Sequence, residues 1–293
     1  MLKRFFALAL LAIAIGGCDN ESAPLQFRID NPTNAPITLT IDGKDYPVPA
    51  HDDVPVRLSP GEHHLRSERL GDVRVIVYAR GRGGIINPTL GDYVLVNKIY
   101  VTDEDKLKNF GSLNARITLG GVTFKGPFHQ THALFIDKEW NFGAHEPFPE
   151  TLSAHVDGTG GRIMSKIFTA ADFIAYVEEN NGQPGAYLKQ NPSGFVQPVY
   201  ALEPMPAQLP PLHAEYEAHA GALRAVYARY LKAVTAEEQL KLQKDYFQAQ
   251  TDFTHATATL GSSLPVNANE GYNDFVGALS QLMGSSAVVP PQQ

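Results

Sequence analysis

The sequence predicts an α+β protein: an N-terminal antiparallel β-sandwich-like domain, a mixed segment, and a C-terminal helical hairpin. Two periodicities and the break between them carry this reading. Apolar residues recur every second position between Leu25 and Val101, which places them on one face of extended strands. Beyond a proline-rich run ending at Pro211 they recur every third or fourth position, which makes a helical stripe. With 293 residues, 43% apolar and 19% charged, the chain has enough material for two modest cores and too little charge for a disordered chain.

The chain opens with Met1-Leu2-Lys3-Arg4, an apolar run from Phe5 to Ile15, and Gly16-Gly17-Cys18. That run is too short to cross a hydrocarbon core roughly 30 Å thick, so with two preceding cations residues 1–17 read as a secretory leader. Ile15-Gly16-Gly17-Cys18 resembles the lipobox of bacterial lipoproteins. The resemblance implies that Cys18 carries a thioether-linked diacylglycerol and becomes the acylated N-terminus. Palmitate-type acylation at Cys18 would then tie the chain to the cell membrane on its periplasmic side, with residues 18–24 as a tether. Asp19-Asn20 resembles the pattern that retains such proteins in the inner membrane, with the outer membrane as the alternative. Cys18 is the only cysteine, so the mature fold is expected to stand without a disulfide.

Loss of Lys3 and Arg4 with the leader takes the formal net charge from −7 to −9. An acidic chain is repelled by phosphate backbones, so nucleic acid is not expected as a partner. A protein partner in the envelope is.

Within 25–101, Ile37, Leu39 and Ile41, then Val54, Val56 and Leu58, then Val73, Val75 and Val77 alternate with polar neighbours. Asp42-Gly43 is a hairpin signal because both positions tolerate positive φ, and Pro60-Gly61 supplies another turn. Ile41-Asp42-Gly43-Lys44 and Leu58-Ser59-Pro60-Gly61-Glu62-His63 resemble PEGA-type small surface β-domains, a resemblance that implies a binding or spacer module.

In the mixed segment, 102–197, Gly120-Gly121 separates two short β-runs, and Ala133-Leu134-Phe135-Ile136 reads as a further strand. Thr169 opens a short helix that Asn181-Gly182 should end. Residues 198–211 contain Pro198, Pro204, Pro206, Pro210 and Pro211, approached through Pro192, and should form a semi-rigid spacer or an extended strap.

Over 212–284 the sequence predicts a helix of about 23 residues from Leu212 to Val234 with Tyr216, Ala220, Leu223, Tyr227, Leu231 and Val234 on one stripe. Thr235-Ala236-Glu237-Glu238 matches a capping box that starts the next helix. The stripe serves either an intramolecular core, the favoured reading, or a partner interface. A short helix from Tyr272 to Met283 and a frayed tail over 285–293 complete the chain.

The densest reactive group is His129, His132, His145, His155 and Asp157. Imidazoles with a carboxylate suit zinc, so an extracytoplasmic metal-dependent hydrolase is the alternative function. Against it, there is no His-Glu-x-x-His helix, and Pro147 and Pro149 interrupt the segment. Gly158-Thr159-Gly160-Gly161 lacks the Gly-Lys-Ser/Thr ending of a phosphate loop, no Gly-x-Ser-x-Gly elbow occurs, and adjacent carboxylates such as Asp52-Asp53 point to different faces. The expectation is a non-catalytic lipoprotein without cofactor, acting as a binding or scaffold protein.

Overall fold

The computed structural model describes residues 22–111, 115–153, 155–156, 158–280 and 284–289. Cys18 and Asp157 lie outside them. Strand β1 (Leu25–Asn31) pairs antiparallel with β4 (Asp52–Leu58) and parallel with β7 (Gly84–Ile86), and β7 pairs with β12 (Phe135–Asp137). A second sheet runs in the order β14 (Ser286–Val288), β6 (Gly71–Val77), β5 (Gly61–Ser67), β2 (Ile37–Ile41), β3 (Lys44–Val48), all antiparallel. The two sheets face each other, and the alternating residues do what their spacing asks. Phe27, Ile29, Leu39, Ile41, Val56, Leu58, Val73, Val75 and Val77 meet in one buried core. Asp42 (φ 50°) and Gly43 (φ 80°) make the β2–β3 turn in the left-handed region the hairpin requires. Pro60-Gly61 turns the chain from β4 in one sheet to β5 in the other.

At Asn87 the chain leaves the sandwich. Its side-chain amide donates to the Gly91 carbonyl and its oxygen accepts from the Gly91 N–H, both at 2.9 Å, closing a buried turn. Strand β8 (Tyr93–Val101) follows and forms a third sheet between β11 (Phe128–Thr131) and β13 (Gly161–Thr169). A separate hairpin, β9 (Ala115–Leu119) with β10 (Val122–Gly126), turns at Gly120-Gly121 as expected. Helix α1 (Ala170–Asn180) starts where Thr169 Oγ1 accepts from the Asp172 N–H, and ends at Gly182 in the left-handed region. With α2 (Ala186–Gln190) it covers this module around Phe173 and Phe168. Tyr93, Ile85, Ile136 and Ile167 join the third sheet to the sandwich.

The proline-rich run is a strap laid on the fold. Tyr200 O–H donates to both carboxylate oxygens of buried Asp92, at 3.2 and 3.1 Å, and Arg69 donates to the Tyr200 carbonyl. Further along, the Met205 N–H donates to Val288 at 2.8 Å, and Leu209 is buried against the helices.

The helix predicted over 212–234 breaks in two: α3 (Ala214–Glu217) and α4 (Gly221–Tyr230). The chain turns over 218–220, just ahead of Gly221, which would cost about 1 kcal/mol of helix propensity inside a continuous helix and instead opens α4. The stripe still buries Tyr216, Ala220, Leu223, Tyr227 and Leu231. Val234, beyond the end of α4, is exposed. After a five-residue turn, α5 (Ala236–Thr257) begins with Thr235 Oγ1 accepting from Glu238, as the capping box predicts, and folds back on α4. Helix α6 (Val266–Ser280) starts six residues ahead of the predicted Tyr272; Gln281 to Met283 lie outside the described residues.

The frayed tail expected over 285–293 is corrected for its described part. Ser286–Val288 adds to the sandwich as β14, with Ala287 and Val289 buried under the helices. Burial of these apolar side chains offsets the entropy of ordering a short terminus. Strand β6 therefore buries both faces: Val75 and Val77 toward the sandwich, Ile76 toward α4, α5 and α6. Buried Gln239 of α5 fixes this joint, accepting from the Ala79 N–H at 2.8 Å and donating to the Val77 and Ala233 carbonyls at 3.1 and 2.8 Å. No described helix is long and apolar enough to cross a membrane.

Candidate functional site

The four histidines of the 129–155 segment go to different places. His129 sits on β11 opposite Leu95, exposed. His132 stacks on Tyr200 of the strap, ring centroids 3.7 Å apart and planes 8° from parallel. His155 is exposed in the loop before β13. His145 alone reaches a cluster of other potential metal ligands, formed with Asp30 and Asp53.

That cluster is built by two strands and a loop. Asp30 is on β1 and Asp53 is its direct partner across the ladder on β4. His145 Nε2 lies 2.5 Å from Asp30 Oδ1 and 4.0 Å from Asp53 Oδ2. Tyr93 O–H donates to the other Asp30 oxygen, and the Arg28 Nε donates to Asp53 at 2.5 Å. Asp30 and Tyr93 are fully buried. The hydrogen bond to Asp30 raises the His145 pKa above its usual 6.5, against the opposing effect of partial burial. Burial, then the charge of Asp30, pushes the Tyr93 hydroxyl well above 10, so it stays a donor.

The arrangement is electrostatically closed. Two carboxylates face the Arg28 guanidinium and the imidazole of His145, whose pKa Asp30 raises, while a phenol donates to the other Asp30 oxygen. A divalent cation entering here would have to displace the His145 proton and add its charge beside Arg28. The chemistry fits a clamp that fastens the 139–149 loop to the sandwich. Lys166 on β13 supports it from the other side: its ammonium donates to the carbonyls of Gly143, Ala144 and Glu146 at 2.7, 2.8 and 2.6 Å. Burial lowers the Lys166 pKa to about 8.

Nothing local in the sequence marks Asp30, Tyr93 and Lys166 as site residues. Asp30 falls on the face of β1 that carries Gln26 and Arg28, both exposed, so alternation marks it as solvated. It is buried because Tyr93 and the His145 loop cover that end of the face.

A cleft of about 1340 Å³ is lined by none of Asp30, Asp53, Tyr93, His145 and Lys166. Its walls come from β11 and the loop to β12, from β12 and β14, from Ala201–Pro206 of the strap, and from α6. His129 and His132 line it, so two of the sequence candidates belong to this cleft. The strap holds one wall in place through the Asp92–Tyr200 bonds.

No protein family matches the chain, and neither a curated protein nor a solved structure matches it significantly.

Proposed function

We propose that this is a lipid-anchored extracytoplasmic protein of the bacterial cell envelope that works without catalysis, as a binding or scaffold protein. The observation that carries the binding role is the cleft: three sheet margins, a strap and a helix bound a space larger than the 300–1000 Å³ usual for small-molecule pockets, and suited to a stretch of polypeptide. The anchor rests on Cys18. Strand β1 begins seven residues after it, a reach of about 25 Å at most when extended, and β1 is an interior strand of its sheet. A lipid on Cys18 would therefore hold the sandwich itself close to the bilayer. The cleft would then engage a protein partner near the membrane surface.

Membrane fractionation of cells expressing wild type and Cys18→Ala tests the anchor and the binding role together when combined with a photo-crosslinking residue at Thr131. Wild type should sediment with membranes and crosslink to a protein of the envelope from the cleft. Equal sedimentation of both forms would remove the anchor, and an uncrosslinked cleft would remove the binding role.

A further inference from the structure

Sheet edges are normally protected, because an open row of backbone groups recruits another chain. Two edges of this sandwich open into the same cleft. Strand β12 is the margin of the first sheet and β14 the margin of the second, and residues of both line the cleft. The register fixes which backbone groups are involved. Asn87 N–H donates to Leu134 and Lys138 N–H to Gly83, so Leu134, Ile136 and Lys138 face β7, and alternation turns the N–H and C=O of Phe135 and Asp137 away from it. On β14 the Tyr78 N–H donates to Ser285 and the Val289 N–H to Arg74, so the backbone groups of Ser286 and Val288 point outward. One of those outward groups is already in use: the Val288 carbonyl accepts from Met205 of the extended strap. One backbone hydrogen bond thus already ties the strap to this margin within the molecule itself. Beside it, the buried Ser286 hydroxyl has no partner among the described residues.

The charge around the edges selects among extended chains. Asp137, Glu139, Glu203 and Asp274 line the cleft against Arg80 and Arg82. Asp137 accepts from the Ser285 N–H, and Arg82 stands 4.0 Å from Glu139. Glu203 of the strap and Asp274 of α6 both line the cleft and are exposed. We infer that the cleft binds an extended, lysine- or arginine-bearing segment of a protein partner, which adds as a strand to the outer edge of β12, paired with no other strand among the described residues, with its cations toward Glu203 and Asp274. The inference rests on the binding role proposed above and names its partner class. Backbone pairing supplies the attachment, and the two carboxylates set the preference for cationic side chains.

The test uses the full chain extracted from membranes in a non-ionic detergent, with fluorescent twelve-residue peptides alternating Val with Lys or Val with Glu. Anisotropy should give the Lys peptide a Kd at least about tenfold below that of the Glu peptide. N-methylation of alternate peptide nitrogens, which removes donors and leaves charge intact, should weaken it at least about tenfold. Gly277→Trp should do the same, because Gly277 lines the cleft on α6 and a Cβ added there would meet nothing within 4 Å, so the ring enters open space and not the core. Glu203→Lys with Asp274→Lys, both at exposed positions, should reverse the peptide preference. Equal binding of both peptides would overturn the inference, as would a Lys peptide indifferent to N-methylation or to Gly277→Trp. So would a dimer in sedimentation that Gly277→Trp disperses, since the occupant would then be a second copy. The membrane fractionation is independent of these peptides, so their failure removes this inference while leaving the anchor and a differently shaped binding role standing.

Discussion

His145 Nε2 sits 2.5 Å from Asp30 Oδ1 across 115 residues of sequence, and this contact joins the 139–149 loop to an interior strand of the sandwich. Because Asp30 raises the His145 pKa, the pair stabilises most where the unfolded histidine is also protonated, below its ordinary value of about 6.5. That contribution is lost as pH rises through the raised folded value. His145→Asn should therefore cost about 2 kcal/mol at pH 5.5, with the penalty shrinking toward alkaline pH. Paired thermal melts from pH 5.5 to 9 measure it, and a penalty independent of pH would show that His145 holds the loop without its charge.

Lys166 should matter through the same loop. Lys166→Met leaves three carbonyls without their donor, a loss of about 2–4 kcal/mol. It should also loosen His145, so the pH dependence of the His145→Asn penalty should flatten in the Lys166→Met background. A double-mutant cycle in urea measures the coupling, and strict additivity would separate the two sides of the loop.

The helical layer should unfold with the sandwich. Gln239→Leu orphans the Ala79 N–H and the Val77 and Ala233 carbonyls and should cost about 2–4 kcal/mol. Urea denaturation followed by tyrosine fluorescence and by far-ultraviolet circular dichroism should give one shared transition in wild type. Separate transitions in wild type would mean that the helices fold on their own.

What could be read from the sequence is what depends on neighbours along the chain. The alternation of Val73, Val75 and Val77, the left-handed turn at Asp42-Gly43, and the caps at Thr169 and Thr235 are all local, and the α+β class followed from them. The attachments between layers were not legible. β14 pairs with β6 more than 200 residues earlier, and three residues of Ser-Ala-Val carry no period long enough to announce a strand. Likewise the spacing of His129, His132, His145 and His155 says nothing of partners, because Asp30 and Tyr200, which two of them meet, belong to other segments. The helix break ahead of Gly221 shows one weak signal overridden by a continuous apolar stripe.

The strap should resist thermolysin. Tyr200 is held at its hydroxyl by Asp92 and at its carbonyl by Arg69, and Leu202 packs against the sandwich core. Cleavage within 198–206 should be slow in wild type and at least about tenfold faster in Tyr200→Ala, as local opening becomes easier. Rapid cleavage of wild type at Leu202 would show that the strap is free in solution.

Membrane attachment through Cys18 can be read in one step by mass spectrometry of the tryptic N-terminal peptide from membrane-extracted protein, since the first cleavable bond after Cys18 follows Arg28. The expected peptide begins at Cys18, with a diacylglyceryl thioether on sulfur and an acylated α-amine. A peptide containing Cys18 as a free thiol, or one still joined to Gly17, would contradict lipid anchoring.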